Sequence, residues 1–516
     1  MNSENVSPSS AVASSGVLTG PGSHGGTVPH GSGLGSPPPS LFDAYRSSSD
    51  EVVQDGTVTA PYLEVVQALD SLEPGTLARR RLAAESYQRS HGVEFRVTGD
   101  TAPRTFPVDP IPRVVAEAEW STLSRGLEQR ARALDALLCD VYGEQAAIRD
   151  GALPRWVAEV PGYSLVGSAF RGQPHRAQVC GMDLVRDAGG TWQVLEDNVR
   201  VPSGLAYAIH NRRMIDAVMP ELPRPRGLCD ASRSAAMLRS ALGASAPSRV
   251  PGEARVVLLS EGPGGSAWFE HSMLASEMDV DIVLARELLV EVDCVYQLRQ
   301  GAPRLPVDVI YLRMSESELS GAAGADGLPL GPRLVAAARA GRVAVANALG
   351  NGVADDKAVY SYVPAMIQYY LGEKPILGTV PTYLCRQEDH RRHVLARLGE
   401  LVLKPVDGYG GSGVVVGSMA SEEELDAVRG QILAHPASWI AQEIVQLSTH
   451  PNMSERGLEA RHVDLRAFVL VSDVAAVAPA ALTRVAPEGS MIVNSSRGGG
   501  SKDTWLVCGS SGGRRS

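Results

Sequence analysis

The sequence predicts a mixed α/β (α+β) fold, on three observations. Apolar runs of strand length recur along the chain, among them RVVLLS at 255–260, VDVIYLR at 307–313 and LVLKP at 401–405. Helical periodicities lie between them. The composition, 44% hydrophobic and 21% charged over 516 residues, matches ordinary globular proteins and is ample for a large buried core.

Taken in order, residues 1–40 are rich in Ser, Gly, Pro and Val and end in GSGLGSPPPS. That composition buries too little apolar surface to offset ordering entropy, so the segment reads as a disordered tail. A first α+β unit is expected from 41 to 220. Within it, Leu123, Leu127, Leu134, Leu137, Leu138 and Val141 recur at near-helical spacing and predict a helix with a core-facing stripe. A composition shift at about 219–253, MPELPRPRG and then ASAPSRVPGEAR, reads as a connection or domain border before the strand Val256–Leu259. A central α/β unit then runs from 221 to 380 and a final one from 381 to 508, with GSSGGRRS at 509–516 a frayed end. No internal repeat is found.

Charge and cysteine usage exclude several classes. The formal net charge is −10, so the chain lacks the basic footprint of a nucleic-acid binder. No apolar run approaches the roughly 20 residues that span a bilayer, and MNSENVSPSS has no basic region followed by an apolar one. No membrane partner is expected, and the location expected is the cytoplasm. The six cysteines, Cys139, Cys180, Cys229, Cys294, Cys385 and Cys508, show no CxxC pair. They read as reduced thiols or small core residues. Cys180 has no partner histidine that would make it a nucleophile.

Four stretches carry groups suited to chemistry. In GMDLVRDAGGTWQVLEDNVR, two strand-like runs flank Asp187-Ala188-Gly189-Gly190, a composition for a tight hairpin. A turn centred between Gly189 and Gly190 places Asp183 across from Glu196, with Asn198 on the same face and Asp197 on the other. Three such oxygen donors suit a hard cation; the plain alternative is a solvated hairpin face. In LVLKPVDGYGGSGVVVG, a strand carries Lys404 into a glycine-rich turn, Gly408, Tyr409, Gly410, Gly411, Ser412 and Gly413. Glycines let backbone N–H groups approach phosphate oxygens while the lysine supplies positive charge. The lysine precedes the glycines and a strand follows them, so this is not a P-loop. In NALGNGVADDKAVY, Asp355 or Asp356 caps an expected helix, while Lys357 has no such structural role. Downstream, Asp464 and Arg466 alternate onto one strand face, either as an exposed ion pair or as a charged wall. Arg484, Asn494, Ser495, Ser496 and Arg497 add anion-binding groups beside a triple-glycine turn.

These residues make the sequence resemble the circularly permuted ATP-grasp family, type 2, distantly similar to glutathionylspermidine synthetases. The resemblance runs from about Phe42 to Trp505 and is carried by six motifs in order. They are DVYGE at 140–144, LEDNVRVPSG at 195–204, NALGNGVADDKAVY at 347–360, LVLKPVDGYGGSG at 401–413, DLRAF at 464–468 and NSSRGGGSKDTW at 494–505. It implies a permuted ATP-grasp fold with mixed sheets and a glycine-rich lid, because the metal carboxylates precede the lysine loop. By the resemblance, Asp183, Glu196 and Asn198 look like Mg²⁺ ligands, and Lys357 and Lys404 like ATP ligands. Gly408–Gly413 resembles the lid over the phosphates, and Gln442-Glu443 falls where the base or ribose is held. Arg200, Arg313 and Arg484 look like catalytic arginines steadying phosphate or carboxylate charge. Asp464, Arg466, Asn494, Ser495 and Arg497 look like substrate contacts. The segment SESELS after Arg313 is less acidic than the family pattern. The implied activity is an ATP- and Mg²⁺-dependent carboxylate–amine ligase working through an acyl phosphate, on a small-molecule or peptide carboxylate, with a protein substrate also open. The alternatives are a kinase of a small molecule or peptide and a non-catalytic nucleotide binder.

Overall fold

The structure is a computed structural model that describes residues 40–43, 45, 47–95, 104–406, 408, 413–493 and 499–509. The expected disordered tail and nearly all of the frayed C-terminal end lie outside the described residues. Strand β1 spans Val108–Val115 and leads into helix α1, Glu117–Val141. Glu117 and Glu119 lie in the first turn of α1, where negative charge complements the helix dipole. Leu123, Leu127, Leu134 and Leu138 form its buried stripe, at most 1% exposed. Each such leucine contributes about 1.5–3 kcal/mol by leaving water.

Strands β2, Val179–Arg186, and β3, Trp192–Asn198, make the expected hairpin. Asp183 does face Glu196, but by a different route. The inner pairs Val185↔Gln193 and Arg186↔Trp192 centre the turn on Gly189 itself, and a bulge between Asp183 and Leu184 restores the offset. Helix α2, Leu205–Val218, follows β3. The central region holds β4, Val256–Leu259, helix α3, Trp268–Met278, and β5, Val309–Leu312. These two strands pair in parallel with each other and with Asp281–Val283 and Ala344–Ala346 in a four-stranded sheet. Four apolar residues each, buried on both faces, account for the unbroken VVLL and VIYL runs.

The remainder supplies β6, Leu401–Pro405, β7, Trp439–Glu443, β8, Gly457–Val471, β9, Ala475–Val485, and β10, Gly500–Leu506. Strands β6 and β7 pair antiparallel within a second four-stranded sheet. An eight-stranded sheet runs Gly378–Thr379, β3, β2, β8, β9, β10, β1, with Thr449–Ser454 on the side of β8. One core fills the space between α1 and this sheet, joining Leu127 and Leu134 to Met182, Leu184, Leu465 and Ala467. The mixed α/β architecture expected from the sequence is the one present. Among the described residues, no helix is long and apolar enough to cross a membrane.

One expectation is corrected. Cys229 and Cys508, read as reduced thiols, are joined in a disulfide with Cα atoms 5.3 Å apart. They are 279 residues apart, so no local spacing announces the bond. The end of β10 brings them together: Cys229 N–H donates to Leu506 O at 2.8 Å and Cys508 N–H to Gly227 O at 2.7 Å. Cys180 is fully buried, and burial pushes its thiol well above the ordinary range, in keeping with a packing role.

Candidate functional site

Strand alternation aims the site's side chains. On β6, Leu401 and Leu403 enter a small core with Ala441 of β7. Val402 and Lys404 therefore face the other way, where Val402 pairs with Gln442. Lys404 Nζ donates to Gln442 Oε1 at 2.5 Å. On β3 the same rule sends Asp197 inward and Glu196 and Asn198 outward, as expected. Asp197 is sealed in a bidentate pair with Arg130, both contacts 2.6 Å.

The two outward faces meet across a cavity of about 360 Å³. The eight-stranded sheet contributes Asp183, Glu196, Asn198, Asp464, Arg466 and Arg484 to its wall. The β6–β7 sheet contributes Lys404, Gln442 and Glu443, and Arg200, Lys357 and Gly408 complete the polar part. Twelve of the residues singled out from sequence thus surround one space. The same lining includes apolar side chains, among them Val402, Val416, Ile444, Val445, Leu447 and Ile492. A cavity that combines charged and apolar lining suits a ligand with both characters, such as a nucleotide.

The charged residues are tightly paired. Asp183 accepts from Arg466 Nε at 2.6 Å and its terminal nitrogen at 2.8 Å, and from Arg484 at 2.9 Å. Arg484 also holds Asp464 through contacts of 2.9 and 2.5 Å. Asp464 is 1% exposed, so the exposed-ion-pair reading of Asp464 and Arg466 gives way to the charged wall. Burial alone raises the Asp183 carboxyl, but the charges and hydrogen bonds of Arg466 and Arg484 outweigh it and hold it near 2. Lys357 lies 3.0 Å from Glu196 Oε1 and also donates to Gly408 O. Burial lowers Lys404 to about 8, with Lys357 adding repulsion and Glu196 and Asp183 offsetting part of it.

Asp356 caps the turn after Lys357, accepting from Ala358 N–H at 2.8 Å and Val359 N–H at 3.1 Å. Asp355 does something else: it accepts from Val199 N–H and pairs with Arg200, both at 2.6 Å. That fixes the segment after β3 against the lysine-bearing loop. Glu443 lines the rim with its carboxylate held by Arg397 at 2.7 Å and the Tyr383 hydroxyl at 2.6 Å.

Arg313 is not brought to this wall. It is 3% exposed at the end of β5, donating to Pro202 O at 2.8 Å and Ser203 Oγ at 3.0 Å. The loop after β3 lies between it and the cavity's Arg466, which donates to Ser203 O. Tyr409, Gly410, Gly411 and Ser412 lie outside the described residues, as do Asn494, Ser495 and Arg497. Their chain neighbours Gly408, Ile492 and Val493 line the cavity.

Sequence reasoning missed Pro161 and Gly162, which also line it. Gly162 packs against Gly352 so closely that a Cβ would stand 2.2 Å from the Gly352 carbonyl carbon. No motif at either position signals this. The apolar wall was partly legible, since Val402 shares the period-two face of Lys404.

The donor set fits a divalent cation. Asp183, Glu196 and Asn198 offer carboxylate and amide oxygens on adjacent strands, the chemistry that Mg²⁺ prefers. The Asn198 amide leaves a buried nitrogen without a hydrogen-bond partner among the described residues. That nitrogen is a donor, so what completes it is an acceptor oxygen of a ligand or water, while the amide oxygen is the atom that could face a cation.

Comparison with known proteins gives a consistent set of likenesses. The family model "Circularly permuted ATP-grasp type 2" matches residues 112–486. A Frankia alni protein named "Putative glutamate--cysteine ligase 2-3" is 52% identical over 471 residues, 91% of this chain and 55% of that protein. The chain thus spans about half the length of that relative. An uncharacterised Mycobacterium leprae protein is 42% identical over 472 residues, 90% of this chain and 83% of its own length. Among solved structures, a glutathione synthetase-like effector from Globodera pallida, in its apo form, superposes with a TM-score of 0.56. That match has 11% identity and covers 85% of this chain and 98% of the effector, a likeness of fold.

Proposed function

The chain belongs to the circularly permuted ATP-grasp type 2 family, and from that premise we propose that it is an ATP- and Mg²⁺-dependent carboxylate–amine ligase. One observation carries the reading: Lys357 and Lys404 line a single cavity together with the Asp183–Glu196–Asn198 set and a group of apolar side chains. Phosphoryl transfer asks little of a protein beyond positioning and charge neutralisation, and these residues supply both.

The apolar side chains of the lining pack against the base, with Gln442 and Glu443 offering polar contacts to it or to the ribose. Lys404 and Lys357 bind the phosphates, with Gly408 on the wall of the same cavity. Asp183, Glu196 and Asn198 would hold Mg²⁺, which when bound neutralises phosphoryl charge. Arg200, Arg466 and Arg484 orient the substrate carboxylate. Its oxygen attacks the terminal phosphorus and ADP leaves, giving an acyl phosphate. An amine nitrogen then attacks the acyl carbon, phosphate leaves with the bond it held, and the amine's proton passes to the departing phosphate. The product is an amide.

The name of the Frankia relative suggests amino-acid substrates, with glutamate and cysteine a first pair to try. The test is ADP release from Mg·ATP across amino-acid and peptide pairs, with products weighed by mass spectrometry. A new amide, lost in Glu196→Gln, is the expected result. A phosphorylated product with no amide would replace ligation by phosphorylation. Failure of folded wild type to bind Mg·ATP at all would remove the nucleotide site.

A further inference from the structure

The cavity's cation ligands are already neutralised by the protein's own cations, and the way they are neutralised is uneven. Asp183 shares both oxygens with two guanidinium groups. Arg484 has a second carboxylate, holding Asp464 by two contacts whether or not Asp183 is available. Arg466 hydrogen-bonds to no second carboxylate among the described residues, although Asp464 lies within its electrostatic reach. Apart from Asp183, it reaches the backbone oxygen of Ser203 at 3.1 Å. Its side chain is 16% exposed and lines the cavity, whereas Asp183 is 3% exposed. The cluster of Asp183, Asp464, Arg466 and Arg484 is therefore neutral as it stands, two charges of each sign.

We infer that Arg466 is a built-in counter-cation that competes with the divalent metal for Asp183, and that its displacement couples metal binding to the binding of an anionic substrate. This rests on the nucleotide-and-metal reading above. When Asp183 is given over to a metal ion, Arg466 loses its bidentate carboxylate. A guanidinium on a cavity wall without a counter-charge is costly unless an anion arrives. A phosphoryl or carboxylate group of the substrate supplies it, in the two-pronged geometry that guanidinium favours. Metal and anion then assist each other. By linkage the assistance is equal in both directions, and it disfavours loading either alone. Arg484, anchored on Asp464, stays to orient the ligands.

The experiment is titration of the apo protein with Mn²⁺, followed by electron paramagnetic resonance of the free ion, with and without ATP. Wild type is compared with Arg466→Met, Arg466→Lys and Asp183→Asn. Arg466→Met removes the competitor, so Mn²⁺ alone binds about tenfold or more tightly than to wild type. The enhancement of Mn²⁺ affinity by ATP, large in wild type, shrinks by a similar factor. Arg466→Lys, with a charge but no fork, falls between. Asp183→Asn abolishes the gain when combined with Arg466→Met. The inference is overturned if Mn²⁺ alone binds Arg466→Met no more tightly than wild type, or if the double variant keeps the gain. Circular dichroism confirms that each variant is folded, and Arg466→Lys decides the matter if Arg466→Met is not: affinity equal to or below wild type then overturns it. Absence of Mn²⁺ binding to wild type even with ATP is a different failure, that of the metal site itself.

Discussion

Two of the arginine–carboxylate pairs on the β2–β3 hairpin, one on each face, share their chemistry and differ in their surroundings. Arg130 and Asp197 lie on the inner face with side chains 2% and 1% exposed. The guanidinium also stacks over Tyr360, 5.1 Å from the ring centre. Tyr360 belongs to the segment bearing Lys357 and donates to Val194 O of β3. This inner pair clamps the strand of Glu196 to the loop of Lys357, and both of its side chains are buried. Arg466 and Asp183 on the outer face face a cavity. The same two-pronged contact is a fixed joint where it is sealed and an exchangeable one where a ligand can reach it. Access, rather than pair geometry, separates structural from functional ion pairs here.

The contrast breaks most visibly at the sealed pair. Arg130→Ala leaves a buried carboxylate unpaired and is predicted to lower unfolding stability by about 3–5 kcal/mol in urea titration. Arg466→Met leaves Asp183 with Arg484 and is predicted to cost less than half as much; equal losses would erase the distinction. Next in size, Lys404→Ala removes the proposed phosphate ligand. Affinity for Mg·ATP is expected to fall about a hundredfold by calorimetry, with no loss of stability in urea titration.

A smaller, graded effect follows from the depressed Lys404 pKa of about 8. In the free site the lysine loses its proton above that pH, so nucleotide affinity is predicted to fall as pH rises, by up to about tenfold per unit. The sign for stability is opposite. Between about 8 and the ordinary lysine value of 10.5, the folded chain binds fewer protons here than the unfolded one. This residue's contribution to stability therefore improves through that window and is poorest below it. Lys404→Ala should remove both slopes, and an unchanged affinity profile in the variant would assign the titration elsewhere. The smallest effect is expected at Arg200, whose side chain is 49% exposed over Asp355. Arg200→Gln should change stability by less than about 1 kcal/mol while raising the carboxylate substrate's KM.

Much of the site was legible because it is encoded locally. Alternation placed Glu196 and Asn198 on one face and Asp197 on the other. Turn composition placed Asp183 opposite Glu196, although the bulge that completes the register was not foreseen. Arg313 shows the limit: a strand-end arginine next to the metal motif's loop reads as an active-site residue, yet it is buried behind that loop at Pro202 and Ser203. Sequence pattern says that a side chain leaves a strand end, and only packing says toward what. Gly162 and the Cys229–Cys508 bond were invisible for the same reason, each depending on a partner far away in the chain.

By itself the sequence determined the mixed α/β class, the strands that carry the charged residues and, through six ordered motifs, the family. Periodicity and turn chemistry act over a few residues, so a linear reading captures them. Tertiary structure alone decided that Lys404 of one sheet and Glu196 of another border one cavity, that Arg130 seals Asp197 while Arg466 leaves Asp183 within a ligand's reach, and that Arg313 supports rather than lines the site. Those outcomes depend on which surfaces are buried against each other, and burial sets whether a charge is a fastener or a functional group.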